Sequence, residues 1–344
     1  MANPEGGLDR CPDPNASGVV GIRKFQQEDG SYLFGVACAA CHAGFDPLTP
    51  PADPSAPTWD NIHPSIGNQD LDTGALFAAN LEEDDVRRFM FAAWPRGTTD
   101  TSLLFNDHIM NPSAITPIWN LPFRPRFDVG SGKPRIRNAQ GGEDDLGLGV
   151  ATRRVYTNLG SCFFDCVAPA VMAGEPISIK SCEADCPDFP PQQDLEDLSA
   201  FLQSIRAPKY RGPKDPWFHR RGREVFAEHC GSCHDNRAKR RKLLSNDAVN
   251  PLGVDPDNTT NACRALGTNW DEGHIWAEFS SDRHKKRAEA GGKGYRTMHL
   301  AGIWATAPFL HNQSIGTSVE PTALPDERVA VFEEAMWALL LALI

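Results

Sequence analysis

Cys230-Gly231-Ser232-Cys233-His234 is the stretch on which the reading of the whole chain turns. Two cysteines three positions apart, followed at once by histidine, match the attachment site of a c-type haem. The thiols form thioethers with the vinyl groups, and the imidazole binds the iron from one face. The residues leading to it, Trp217 to His229, carry apolar side chains at helical spacing and would deliver the chain to that site.

The same pattern occurs again at Cys38-Ala39-Ala40-Cys41-His42. A lone Cys-x-x-Cys is more often a redox or zinc motif. A zinc site, however, needs four ligands in closed pairs, and the nearest other thiols lie far off in differently spaced sets. Two copies therefore predict two covalently bound haems c, one on Cys38, Cys41 and His42 and one on Cys230, Cys233 and His234. The expected fold is mainly α, with two loop-rich cytochrome c-like domains each built around its haem. A chain of 344 residues is long enough for two such cores. Its 29 glycines and 28 prolines put much of it in loops.

A formal charge of −11 argues against a general binder of nucleic acid or anionic membranes. The longest apolar run, Ala335 to Ile344, spans ten residues. That is half of the roughly 20 a spanning helix needs, so no transmembrane segment is expected. Ten cysteines in a chain with covalent haem point to the periplasm or the exterior, where the six outside the motifs can pair. Met1 to Glu5 has neither the basic start nor the apolar core of a signal peptide, so the expectation is a sequence that begins at the mature protein or has lost its leader.

In chain order, residues 1–30 read as an N-terminal extension and 31–205 as the first cytochrome c-like domain. Residues 206–216, with three prolines, read as a linker, and 217–344 as the second domain. His63 lies 21 residues beyond His42 and is a candidate second axial ligand of the first haem. Met90 and Met110 are its rivals, and an open sixth position is the remaining alternative. Glu82 to Phe91 runs from acids to bases, as a surface helix would. Trp94 and Trp119 suit either packing or electron relay between haems. Residues 192–205 place Leu195, Leu198, Phe201, Leu202 and Ile205 on one stripe, as the helix closing the first domain.

An insert at about 123–191 holds Cys162, Cys166, Cys182 and Cys186. Each pair is spaced i, i+4, so two antiparallel helices could be stapled Cys162 to Cys186 and Cys166 to Cys182, with pairing inside each set as the alternative. Cys11 and Cys263 pair only by elimination among fifteen connectivities. The basic runs Arg237–Lys242 and Arg283–Arg287 read as a solvated face, or as neutralisers of propionates or docking sites for an acidic partner. Gly291 to Gly294 lacks the spacing of a phosphate loop.

Leu300 to Asn312, with Trp304-Ala305-Thr306-Ala307-Pro308-Phe309-Leu310-His311-Asn312 at its centre, resembles the "WATAPYLHNGS" segment of the bacterial dihaem cytochrome c peroxidases and their rubber-oxygenase relatives. The resemblance implies a calcium ion on the backbone carbonyls of Thr306 and Pro308. It also makes His311 the first choice for the distal ligand of the second haem, ahead of Met298, His299 and Met336. Only 33 residues follow His311, fewer than the peroxidase tail that carries a methionine or tyrosine ligand, so the chain departs from that ligand set. Two functions follow as expectations. The first is an exported dihaem electron carrier serving redox protein partners; the second is a haem enzyme with one open site acting on peroxide or oxygen. The apolar tail is expected to form a helix closing across 217–229, its outer side covered by the first domain or by a second copy in a homo-oligomer.

Overall fold

A computed structural model describes residues 17–79, 81–100, 112–119, 136–137, 143–144, 173, 191–230, 300–310 and 312–342. The six cysteines outside the haem motifs, both basic runs and nearly all of the insert lie outside the described residues.

The chain opens with an antiparallel hairpin of β1 (Ile22–Gln26) and β2 (Tyr32–Val36), in register from Ile22 opposite Val36 to Gln26 opposite Tyr32. Its turn closes through Asp29, whose carboxylate accepts the Ser31 N–H at 2.9 Å, and through Gly30 at φ +85°. The hairpin ties residues expected in the N-terminal extension to those that enter the first motif. Directly after it comes α1 (Cys38–His42), a single helical turn.

The chain then pairs β3 (Gly44–Phe45) with β4 (Ile62–His63), placing Gly44 opposite His63. The Pro-rich loop between them is closed at its base. Asp46 N–H donates to Asn61 O at 2.7 Å, Asn61 Nδ2 to Thr49 O at 2.9 Å, and the Asp46 carboxylate accepts from Leu48 N–H at 2.8 Å. A loop sealed in this way returns His63 to the haem motif.

α2 (Thr73–Ala78) is capped by Asp72, which accepts the Ala75 N–H at 2.8 Å. α3 (Arg87–Ala92) starts later than the acid-to-base pattern suggests. The Asp85 carboxylate accepts the Arg87 N–H at 2.9 Å and pairs with the Arg87 guanidinium, so the acids precede the helix and its first turn begins at Arg87. Phe77, Phe91 and Trp94 interlock α2 and α3, with ring centroids 5.2–5.7 Å apart. Short pairs β5 (Thr98–Thr99) with β6 (Ser113–Ala114), and β7 (Ile136–Arg137) with β8 (Glu143–Asp144), follow.

Three longer helices complete the described chain. α4 (Gln192–Ser204) coincides with the expected apolar stripe. α5 (Pro216–His229) takes its start from Pro216 in the first turn and from Asp215, whose carboxylate accepts the N–H groups of Trp217 and Phe218 at 2.7 and 3.2 Å. α6 (Pro325–Ala342) is the C-terminal helix. Among the described residues no helix is long and apolar enough to cross a membrane.

The core joins distant parts of the chain. Ile66 and Trp119 pack with Trp304 and Ala305, and around them lie Leu48, Ile205, Ala207, Tyr210 and Val329. Trp119 is fully buried, and its indole N–H donates to Ala301 O at 2.8 Å. Trp304 donates to Pro208 O at 3.2 Å, so the stretch expected as a linker enters the core at its beginning. A second cluster sets Ala335, Phe332 and Met336 of α6 on Ala307 and Phe309. α6 is pinned at its start by two polar contacts. The Tyr210 hydroxyl donates to Asp326 at 2.6 Å, and buried Arg328 donates to the carbonyls of Ala323 and Glu320 at 3.1 and 3.4 Å. The packing of α6 is with the turn Ile303–Ala305, and α5 offers it no buried residue. On its outer side Trp337, Leu340 and Leu341 are exposed.

Candidate haem site

The first motif forms a site because α1 is held at both ends by backbone from elsewhere. At its start Ala37 N–H donates to Gly21 O at 2.7 Å. Gly21 has φ +81°, and a Cβ there would fall on the backbone of Ala40, so the chain can pass this close only as glycine. At its end the last carbonyls of a helix need donors. Asn68 supplies two of them: its backbone N–H donates to Cys41 O at 2.7 Å and its buried Nδ2 to Ala40 O at 2.9 Å.

On this turn Cys38 is exposed and Cys41 partly buried, and both are free thiols. Burial pushes the Cys41 thiol above its ordinary range, and the neighbouring Cys38 adds to the effect. His42 ends the turn, half-buried.

His63 stands beside the motif through the β3–β4 pair, buried and edge-on to Trp119 with centroids 5.3 Å apart. Its Nδ1 accepts the Ser65 N–H at 3.3 Å. Burial lowers its pKa, against the pull of the Asp46 charge and of a hydrogen bond to the Arg206 backbone. In this arrangement His63 braces the loop that carries it. Met90, its rival, lies on α3 on the exposed side of the Phe77–Phe91–Trp94 cluster.

Of the second motif, Cys230 caps α5, its N–H donating to Phe226 O at 2.9 Å. Cys233, His234 and His311 lie outside the described residues, as do Met110, Met298 and His299. Thr306 and Pro308 follow the turn Ile303–Ala305. Among the described residues no group of three or more His, Cys, Asp or Glu could hold a metal ion, so a calcium ion there would depend on backbone carbonyls.

Sequence reading missed Gly21 and Asn68. Gly67-Asn68 carries the composition of a turn, and Gly67 does adopt φ +81°, but a turn signal does not say that its side chain reaches back 28 residues to the motif.

Residues 294–333 match a family model described as RoxA-like, cytochrome c-like. No curated protein and no solved structure matches the chain. The matched stretch contains the Trp304 to His311 segment and the first half of α6. It supports a c-type cytochrome, that is, a redox protein containing covalently bound haem.

Proposed function

We propose that the chain is an exported dihaem c-type cytochrome that passes electrons between redox protein partners outside the cytoplasm. The observation that carries this reading is the repeated Cys-x-x-Cys-His motif. Its first copy sits on a turn clamped at both ends, with two unpaired thiols. The residues present fit a haem there in kind: two thiols and an imidazole on one turn, with Cys38 open to solvent. A haem c supplies a one-electron iron couple when bound. The chain's own part is to present Cys38, Cys41 and His42, and Cys230, Cys233 and His234, to exclude water with its aromatic core, and to set the sixth ligand.

A second reading leaves the sixth position of the first haem open, which would suit an enzyme acting on peroxide or oxygen; His63, whose Nδ1 accepts the Ser65 N–H, is the ligand that would otherwise fill it. His311 remains the proposed distal ligand of the second haem, and a calcium ion on Thr306 and Pro308 belongs to the same proposal. Intact mass of the exported protein should show two haem additions, and fewer would overturn the dihaem reading. An oxidised spectrum with only low-spin iron supports the carrier. One high-spin haem per chain supports the enzyme instead.

A further inference from the structure

We propose that Asn68 is a positioning residue for the haem on Cys38, Cys41 and His42, fixing the pitch of the turn that carries the proximal imidazole. This rests on the reading that the first motif holds a haem.

α1 is one turn long, and its ends carry the bonds Ala40 N–H to Ala37 O at 2.9 Å and Ala43 N–H to Ala39 O at 3.0 Å. The carbonyls of Ala40 and Cys41, which immediately precede His42, point to Asn68. One residue binds both, through backbone N–H at 2.7 Å and side-chain Nδ2 at 2.9 Å. Asn68 is itself held. Its Oδ1 accepts the Asp70 N–H at 3.2 Å, which turns the amide so that Nδ2 faces Ala40. Gly67 brings this loop against the Ile115 carbonyl with φ +81°, and the loop is tied further by Gln69 Nε2 to Ile115 O at 3.3 Å and Gln313 Nε2 to Gln69 Oε1 at 2.8 Å.

The side-chain bond is the specific element. With its start tied to Gly21 O through Ala37 N–H, a backbone donor alone fixes one point at the far end, whereas two donors on consecutive carbonyls also limit rotation there. The rotation of the proximal imidazole about the iron axis follows from that. Axial-ligand orientation and the hydrogen bonding behind it tune haem potential and the anisotropy of the iron's magnetic spectrum.

The test uses the full chain matured with haem, comparing wild type, Asn68→Asp, Asn68→Ser and Gln69→Ala. Aspartate keeps the shape and the backbone bond but cannot donate to Ala40 O. Haem attachment is read by peptide mass at Cys38 and Cys41, ligand geometry by the electron paramagnetic resonance of the ferric protein, and potential by redox titration. Both thioethers should persist in Asn68→Asp, while the signal and midpoint potential of one haem shift. Gln69→Ala, which loosens the same loop but keeps both Asn68 donors, should shift both measures less than Asn68→Asp does. Should Asn68→Asp fail to accumulate, Asn68→Ser is read by the same two measures. A haem-loaded Asn68 variant with wild-type signal and potential defeats the positioning role alone. An unmodified wild-type peptide at Cys38 and Cys41 defeats the haem reading beneath it.

Discussion

His63 is the residue whose surroundings bear most on the first motif. Its spacing from His42 made it a candidate ligand, and the fold returns it next to Gly44, where the ring accepts the Ser65 N–H and packs against Trp119. The same burial has a consequence in pH. Burial depresses its pKa in the folded state, so as pH falls the unfolded chain takes up this proton first. His63 therefore costs nothing well above the ordinary imidazole value of about 6.5, and stability drains away below it. Urea unfolding between about pH 5 and 8 should show wild type losing stability on the acid side, with a smaller loss in His63→Gln. Parallel profiles for the two proteins would remove His63 from the account.

The helices were the legible part of this sequence because each carries its own signals. Asp215 and Pro216 open α5, a single stripe marks α4, and α6 is an unbroken run of helix formers. The hairpin was less legible. Ile22 to Gln26 interleaves Arg23 and Lys24 with Ile22 and Phe25, and no apolar alternation stands out from it. The start of α3 was misplaced because a carboxylate that turns the chain just before a helix and an acid inside its first turn look alike until the backbone is seen. α1 was legible as chemistry and not as mechanics: its five residues announce a haem, while its supports at Gly21 and Asn68 leave no mark within it. Gly21→Ala should therefore be costly. A side chain at φ +81° costs roughly 1–2 kcal/mol by itself, and here the added carbon also meets the Ala40 backbone. Expected is a chain with haem attached at Cys230 and Cys233 but reduced occupancy at Cys38 and Cys41, measured by peptide mass. Full occupancy at both sites would mean that the contact is dispensable.

Residues 300–310 fall inside the stretch that the cytochrome c-like family model matches. What no local pattern could tell is that this segment would meet Trp119 and Ile66, because sequence periodicity reports a face and not its partner. The same limit applies to the tail. Its inner face is accounted for by Ala335, Phe332 and Met336 on Phe309 and Ala307. The outer face, with Trp337 and Leu341 each 68% exposed, is apolar surface of the kind that marks contact with another molecule. Removing residues 339–344 takes away Leu340 and Leu341 while leaving the Ala335 contact in place. If that face joins two copies, the truncated protein should elute smaller on sizing at high concentration, with haem content unchanged. An unchanged elution volume and dye binding would argue that the face is solvent-facing in solution.

The bond from the Trp119 indole to Ala301 spans 182 positions of sequence. A chain made from its N-terminus at about 5–20 residues per second needs roughly 10–40 s to produce the second of these groups after the first. Throughout that interval the unit that holds Cys38 and Cys41 lacks Trp304, Ala305 and the anchoring start of α6, and its core stays open. The core around Trp119 can therefore close only once the far end of the chain is present.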